Sequence, residues 1–424
     1  MENSEPNGRT VSLMPWTIWF LASLCFFLAF FQRVTPGVMV DELMRDFAVT
    51  AAVVGNLTAF YYYAYAGLQI PIGVMVDRWG PRRMLTVAIM LSAVGGLIFA
   101  ATDNLCLAYL GRMLIGAGSA VGWVGTLKLI AVWFPARRFA FLSGMTSTLG
   151  MVGAIAGQAP VAAMVDNFGW RGTLVIIAGL AIALAVAIWL IVRDRPTGGR
   201  DAQTLTMRDL MRGLRGTLKT PQTWILAILC GMLTAPQAAF AAVWGVPYLM
   251  QAFGLSRIEA AGTVSFLLLG WGIGSPLGGW FSDYIGRRKL PLLMGAMIAL
   301  TTISCIVFIP GLPLGVVQGL LVINGIGSAT MVLCFVTARE HAVAEAGSVA
   351  VALVNTATMA LSAASQPLIG WILDINWDGR MENGARLYDT VAFKWGLLTL
   401  VGCGVFAVLS ALLVRETHCR PLAR

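Results

Sequence analysis

The sequence predicts an all-α membrane protein with twelve transmembrane helices arranged in two pseudo-symmetric halves of six. Hydrophobic residues make up 58% of the 424-residue chain and charged residues only 12%, whereas soluble domains carry roughly twice that share of charge. Twelve apolar stretches are long enough to cross a bilayer, which takes about 20 residues. A short charged motif between two of these stretches recurs in the second half of the chain, and this recurrence indicates a duplication.

The predicted spans are long, and backbone groups in lipid must find hydrogen-bond partners within their own segment, which favours helices over the roughly 10-residue strands of a barrel. Residues 1–14 are polar and lack the basic start and cleavage site of a signal peptide, so we expect the first span to be retained. The predicted spans cover residues 15–39, 51–76, 84–101, 105–134, 139–165, 172–192, 222–250, 260–282, 290–309, 314–338, 348–373 and 393–414.

The distribution of lysine and arginine predicts the orientation. Of the 29 basic residues, 20 fall on the side that holds both termini, 6 on the other side and 3 within spans. Because basic loops remain in the cytoplasm, we expect both termini there, in a multi-pass protein of the bacterial inner membrane. The net charge of +9 is then a property of loops that face the lipid bilayer, and nucleic acid is not an expected partner.

A linker divides the chain. The stretch from Arg193 to Thr220 carries seven basic and three acidic residues together with Pro and Gly, and it leaves six predicted spans on each side. We therefore predict an N-terminal half over residues 1–192, a cytoplasmic linker over 193–221 and a C-terminal half over 222–424. The seven cysteines and two histidines show neither metal-ligand nor redox spacing, and no catalytic dyad is visible. No cofactor, metal site or enzyme activity is expected.

The repeated motif reads GVMVDRWGPRRM from Gly73 and GGWFSDYIGRRK from Gly278. Asp77 lies at the end of one predicted helix and Arg82 and Arg83 at the start of the next, so each charge opposes the dipole of its own helix. This arrangement is understandable if the charges pair with each other and with a helix end from the opposite half. The alternative is that the arginines, Arg78 above all, only anchor the cytoplasmic face.

This pattern resembles the major facilitator superfamily over nearly the whole chain. The superfamily's loop motif matches Gly73, Asp77, Arg78, Gly80, Arg82 and Arg83, and in the second copy Gly279, Asp283, Gly286, Arg287 and Arg288, with Tyr284 in place of one arginine. The stretch LGRMLIGAGSA matches the superfamily's buried arginine at Arg112. The resemblance implies a twelve-helix carrier in which these charged residues control gating and Arg112 braces helices.

Charges inside the predicted spans are the main indication of the substrate. Arg33, Arg112 and Lys128 lie within apolar stretches, where each costs about 2.5–3.5 kcal/mol if placed centrally. No carboxylate lies near a span centre to compensate them, so an anion, or the carboxylate of a zwitterion, is expected to complete the site at Arg33. Two alternatives remain: Arg33 could extend to the outer surface, and Lys128 could either bind substrate or reach the inner surface.

A closer resemblance, to the organophosphate:phosphate antiporters and anion:cation symporters, rests on Arg33, on Tyr65, and on Gly122, Trp123 and Lys128. Glycerol-3-phosphate transporters of that group carry a second arginine in span 7, where this chain has no charge from Ala238 to Leu249. A monoanion therefore fits better than a phosphate ester. The stretch from Ala346 to Asp374 is also similar to intraphagosomal amino-acid transporters.

Polar residues on several spans could orient the substrate. Tyr61 and Tyr65 lie one helical turn apart in span 2, although the outer aromatic belt also favours tyrosine. Further candidates for substrate binding are Trp123, Lys128, Gln158, Gln237, Asn324 and Asn355. The glutamines and asparagines could equally hold helices together.

The predicted function is that of a monomeric secondary active transporter that moves a small, monocarboxylate-like organic anion or a zwitterionic amino acid by alternating access. A proton or sodium ion could be coupled to this movement, and the sequence does not select between them. The alternatives are an exporter of neutral or lipophilic compounds and a transporter-like sensor of an anionic metabolite.

Overall fold

The computed structural model describes residues 13–194, 216–342 and 347–421, and this part of the chain is almost entirely helical. Most of the predicted linker, residues 195–215, lies outside the described residues. The helices of the N-terminal half are α1 (Met14–Val34), α2 (Val40–Asp46), α3 (Ala51–Trp79), α4 (Pro81–Ala101), α5 (Leu105–Ser119), α6 (Val121–Trp133), α7 (Ala136–Ala156) and α8 (Ala159–Ile191). Those of the C-terminal half are α9 (Pro221–Ala235), α10 (Gly245–Phe253), α11 (Arg257–Ile285), α12 (Lys289–Phe308), α13 (Leu314–Ser328), α14 (Val332–His341), α15 (Gly347–Ile375) and α16 (Thr390–Leu413). An antiparallel hairpin, β1 (Met381–Glu382) and β2 (Ala385–Arg386), precedes α16.

Twelve spans emerge from these helices within the described part of the chain. Ten helical segments are long and apolar enough to cross a membrane, and one of them runs from Arg137 to Ile191. Its 55 residues would extend about 80 Å at 1.5 Å per residue, far more than the roughly 30 Å of a bilayer core. The backbone turns at Gly169, where φ is +68°, so this segment forms two spans. Helix α3, bent by 112° from α2, supplies the remaining one.

Several spans are interrupted where the sequence predicts continuous helices. The predicted span 4 divides into α5 and α6, and the predicted span 10 into α13 and α14, with a short 3-10 helix, Ala329–Met331, between the latter two. The predicted span 7 contains a π-helical segment, Pro236–Trp244, between α9 and α10. A hydropathy pattern shows where an apolar stretch begins and ends, but it does not show where the helix within that stretch is interrupted.

The two halves meet along α3 and α15, which pack closely because both carry glycine at the crossing. A Cβ atom on Gly370 would lie 2.4 Å from the carbonyl oxygen of Ala51, and one on Gly55 would lie 2.6 Å from that of Gln366. Any larger side chain at either position would force the helices apart. The interface between the halves therefore depends on backbone-to-backbone approach.

We call the membrane face at which α1 begins and α16 ends the terminal face, and the opposite one the distal face. Among the described residues, every side-chain hydrogen bond and ion pair between the halves lies between the distal face and the level of Gln69 and Asn355. These contacts join Arg257 with Glu42 and Asp166, Asp374 with Ala51 and Ala52, Tyr388 with Ala51, Gln366 with Thr58, Gln158 with Ala241, and Asn355 with Gln69. Polar contacts thus join the halves from the distal face to just past the middle of α3 and α15, and the described residues show none nearer the terminal face.

Candidate functional site

Arg33 lies near the end of α1, and its side chain is buried, with only 4% of the residue exposed. The guanidinium carbon lies 4.3 Å from the ring centre of Phe30, and 5.6, 5.4 and 5.3 Å from the rings of Tyr61, Tyr62 and Tyr65. The alternative that this arginine extends to the membrane surface is therefore wrong.

The positive charge of Arg33 is not neutralised within the described part of the protein. No carboxylate there lies within ion-pair distance of it, and its buried Nε has no hydrogen-bond acceptor. Aromatic rings attract a cation through their negative faces, by about 0.5–2 kcal/mol each, but they accept no strong hydrogen bond from its N–H groups. The aromatic enclosure therefore holds the guanidinium in place and leaves its Nε without an acceptor.

Two of the three tyrosines around Arg33, Tyr61 and Tyr62, differ in what their hydroxyl groups do. Tyr61 is fully buried and donates a hydrogen bond of 2.9 Å to the carbonyl oxygen of Ala29, so its hydroxyl joins α3 to α1. The hydroxyl of Tyr62 is buried without a hydrogen-bond partner. Tyr62 was not among the residues that the sequence singled out, yet its unpaired hydroxyl beside Arg33 makes it a better candidate for substrate contact than Tyr61.

Arg112 is also buried, with 2% exposed, but its environment is different. Its guanidinium donates to the carbonyl oxygens of Gln32 at 3.2 Å and Thr58 at 3.4 Å. It thereby connects α5 to α1 and α3 through their backbones, as the family resemblance implies. Arg112 donates to two backbone carbonyls, although its Nε, like that of Arg33, is buried without a hydrogen-bond partner.

Two glutamines support the π-helical segment Pro236–Trp244. In such a segment the carbonyl groups are not all used by regular i→i+4 bonds. Gln158 of the N-terminal half donates to the carbonyl oxygen of Ala241 at 2.7 Å, and Gln366, which the sequence did not single out, donates to that of Ala238 at 2.7 Å. Gln366 also accepts a 2.8 Å hydrogen bond from Thr58. These side chains join the two halves at the level of Arg33.

Gln158 and Gln237, the two glutamines that the sequence predicts as substrate-binding residues, each retain an unpaired polar atom. The Oε1 of Gln158 and the Nε2 of Gln237 are buried without a partner. Together with the Nε of Arg33 and the hydroxyl of Tyr62, they provide three donors and one acceptor on four different spans. Unpaired buried polar groups are costly unless a ligand or water satisfies them, so this set is the best candidate for a substrate site.

The remaining predicted binding residues contact other protein groups. Asn324 donates to Ala299 and Thr302 within the C-terminal half, at 3.0 and 2.9 Å, so it holds helices together. Asn355 donates to Gln69 across the halves at 3.1 Å. Trp123 packs on Phe26 with ring centres 5.0 Å apart.

Lys128 lies at the terminal face, where its ammonium group is 2.5 Å from a carboxylate oxygen of Asp77. This contact agrees with the alternative in which Lys128 extends toward a membrane surface and not with the one in which it binds substrate. The sequence led us to expect that Asp77 pairs with the motif arginines. In the structure it pairs with Lys128 instead. Arg82 instead donates to the carbonyl oxygen of Trp189 at 3.0 Å, and Arg78 and Arg83 are exposed.

The second copy of the motif forms a more extensive cluster. Arg288 is buried and contacts Asp283 at 2.6 Å and Glu340 at 2.9 Å, both within the C-terminal half. Burial opposes its charge, but these two carboxylates raise the pKa of Arg288 above its ordinary value. Arg287 is exposed. Here the aspartate does pair with an arginine of its own motif.

Each half has one carboxylate that caps the helix after the motif, and the sequence did not indicate either. Asp194, three residues past the end of α8, accepts a 2.7 Å hydrogen bond from the backbone of Arg82. Glu416, three residues past the end of α16, accepts from the backbones of Arg288 and Lys289 at 2.8 and 3.0 Å. Burial opposes ionisation of Glu416, but its backbone donors hold its pKa below the ordinary value. The two caps occupy equivalent positions, as expected for a duplicated half.

A cavity of about 280 Å³ lies at the distal face between the halves. Its charged lining residues are Asp41 of α2, Glu382 of β1 and Arg386 of β2. Burial raises the pKa of Asp41 to about 6, with Glu42 and Glu382 acting in the same direction and Arg257 and Arg45 against it. Asp41 keeps contact with water in the cavity although protein atoms surround it.

Comparison with known proteins gives a consistent result. A family model described as Major Facilitator Superfamily matches residues 22–367. A probable galactarate/D-glucarate transporter of Bacillus subtilis (strain 168) is 24% identical over 336 residues, which cover 71% of this chain and 73% of the relative. A membrane sensor protein of Salmonella typhimurium (strain LT2) is 24% identical over 308 residues, which cover 67% of this chain and 68% of the relative. A solved bacterial homolog of the human lysosomal transporter Spinster, inward-facing and unoccupied, has a TM-score of 0.78 at 18% identity and covers 96% of this chain and 98% of its own.

Proposed function

Because the chain belongs to the Major Facilitator Superfamily, we propose that it is a secondary active transporter of a small organic anion with one carboxylate, or of a zwitterionic amino acid. The observation that carries this proposal is the buried, unneutralised guanidinium of Arg33. A charge in such surroundings is costly unless a counter-ion is present for part of the working cycle. The substrate is the natural source of that counter-ion.

The number of available positive charges favours a monoanion. Arg112 is engaged with backbone carbonyls, and Lys128 is paired with Asp77. The π-helical segment and α10 contribute no basic residue. One guanidinium balances one carboxylate, and the unpaired acceptor of Gln158 fits a hydroxyl or ammonium group on the same molecule.

The closed distal side supports an alternating-access mechanism. The excess of basic residues at the terminal face favours a cytoplasmic location for that face by the positive-inside rule. The arrangement with inter-half contacts on the distal side then corresponds to a state closed toward the exterior of a bacterial inner membrane. Transport requires that these contacts break and that contacts at the terminal face form in their place.

The relatives support an anionic substrate class and also keep one alternative open. One of them is named a probable galactarate/D-glucarate transporter and another a membrane sensor protein. A sensor would bind the same class of anion at Arg33 without moving it. An exporter of neutral or lipophilic compounds would not need Arg33 at all.

A thermal-shift screen of the detergent-purified protein tests the proposal. The compounds are monocarboxylates, amino acids, sugar diacids, phosphate esters and nucleosides. A ligand at 100 times its Kd stabilises a protein by about 2.7 kcal/mol, so a monocarboxylate or an amino acid should raise the melting temperature. The shift should disappear in Arg33→Gln and persist in the matched control Arg78→Gln, whose arginine is exposed in the last turn of α3.

The outcomes separate the three functions. Stabilisation by neutral compounds that survives Arg33→Gln would contradict the proposal and favour the exporter. For a ligand that passes the screen, uptake into proteoliposomes then distinguishes transport from sensing. Binding without flux would support the sensor.

A further inference from the structure

Asp374 lies one residue before the end of α15 at the distal face and contacts the start of α3 in the opposite half. Its two carboxylate oxygens accept hydrogen bonds from the backbone N–H groups of Ala51, at 3.2 Å, and Ala52, at 2.9 Å. These are the first two residues of α3. The side chain is thus bound to a helix terminus that belongs to the other half of the molecule.

The start of α3 has no cap of its own. Thr50, the residue that precedes α3, makes no side-chain hydrogen bond to the helix. In contrast, Ser256 caps α11 and Asp389 caps α16, each from within its own half. The first N–H groups of a helix need acceptors and carry partial positive charge, so a carboxylate there is stabilising. For α3 that acceptor comes from α15.

Two further side chains hold Asp374 in this position. The hydroxyl of Tyr388 donates to Asp374 at 2.6 Å and accepts from the backbone of Ala51 at 3.2 Å. Arg386 lies 3.3 Å from the same carboxylate. We call the group formed by Asp374, Tyr388, Arg386 and the start of α3 the distal latch. All of its side chains come from the C-terminal half, and its backbone donors come from the N-terminal half.

We infer that the distal latch holds the protein in the state closed at the distal face, and that Asp374 must leave the start of α3 each time this face opens. The carboxylate sits at the negative end of its own helix, and once the halves separate it loses the backbone donors of α3 and keeps only Tyr388 and Arg386 of its own half. The N–H groups of α3 then face water instead of a charged acceptor. The latch consequently sets the balance between the two states of the proposed transport cycle, and this inference rests on that proposed cycle.

Asp374 of the distal latch and Asp77 of the first loop motif occupy corresponding positions on two antiparallel helices. Helices α3 and α15 both contain 29 residues, they run antiparallel along each other, and each carries an aspartate in its last turn. Asp77 is at the terminal face and Asp374 at the distal face. In the observed state Asp374 is bound across the halves, while Asp77 is bound to Lys128 within its own half.

Distance measurements between spin labels test the inference without any substrate. The labels are placed at Asn167 and Asn383, which are exposed at the distal face on opposite halves, in a variant whose native cysteines are replaced by alanine or serine. In Asp374→Ala, which removes the acceptor, we expect a second, longer distance, with its population raised on the order of tenfold relative to the parent.

Matched variants keep the test decisive. Asp378→Asn changes a carboxylate in the same connection that pairs only with Arg380 of its own half, and it should leave the distances unchanged. Tyr388→Phe removes a single hydroxyl and should move the distribution in the same direction as Asp374→Ala by a smaller amount, even where Asp374→Ala folds poorly. Distances identical to the parent in both latch variants would overturn the inference. Because the readout is the conformation of the unliganded protein, this failure is distinct from a failed ligand screen.

Discussion

The ammonium group of Lys128 on α6 lies 2.5 Å from a carboxylate oxygen of Asp77 at the end of α3. Both side chains are about a quarter exposed, so the pair is partly screened by solvent and contributes at most about 1 kcal/mol. A contact of this strength keeps Asp77 within its own half while leaving it free to change partners. This accounts for a lysine in an otherwise apolar helix without assigning it to the substrate.

The first prediction concerns this pair. Lys128→Met should leave the affinity for the transported anion unchanged, because the lysine faces Asp77. Asp77→Ala should slow transport while folding and substrate affinity remain nearly intact, since gating and not binding depends on it. Binding isotherms and initial rates in proteoliposomes measure both effects. A marked loss of affinity in Lys128→Met would return Lys128 to the binding site.

The second prediction separates two adjacent tyrosines. Tyr62→Phe should weaken substrate binding by about 1 kcal/mol, the usual contribution of one hydrogen bond, without lowering the melting temperature. Tyr61→Phe should lower the melting temperature and leave substrate binding unchanged, because the hydroxyl of Tyr61 is already bonded to Ala29. Equal effects of the two variants on binding would contradict the different environments of the hydroxyl groups.

The third prediction uses the close approach of α3 and α15. Gly370→Ala places a methyl group 2.4 Å from the carbonyl oxygen of Ala51, so the two helices must move apart at the distal face. We expect a larger share of molecules open at this face, detected by the same spin labels. Gly279→Ala is the control, because a Cβ atom there meets nothing within 4 Å.

The fourth prediction concerns pH. The pKa of Asp41 in the closed state is raised to about 6 from an ordinary value of 3.8, so this state binds a proton more tightly than a state in which Asp41 faces bulk water. The proton on Asp41 therefore stabilises the closed state fully below about pH 4, and this stabilisation is lost as the pH rises through about 6. Spin-label distances recorded between about pH 4 and pH 7 should show the distal face opening with rising pH. Asp41→Asn should flatten this response, and an unchanged profile in that variant would assign the titration to another group.

Much of the architecture could be predicted because it depends on local composition. The predicted span 2 begins at Ala51, where α3 begins, and Arg33 is conspicuous as a charge in an apolar stretch. The roles of Asp194 and Glu416 could not be predicted, because each depends on a helix start more than a hundred residues away in the chain. For the same reason the spacing that selected Tyr61 and Tyr65 could not show that Ala29 already occupies the hydroxyl of Tyr61.

The π-helical segment Pro236–Trp244 has a mechanical consequence. If it tightens to ordinary α-helical winding, its register advances by one residue, and everything that follows it in the span rotates by about 100°. The wide winding is maintained by Gln158 from one half and Gln366 from the other, and the first of these bonds is lost when the halves separate. The span would then rotate about its own axis each time the distal face opens, and Trp244 and α10 would rotate with it.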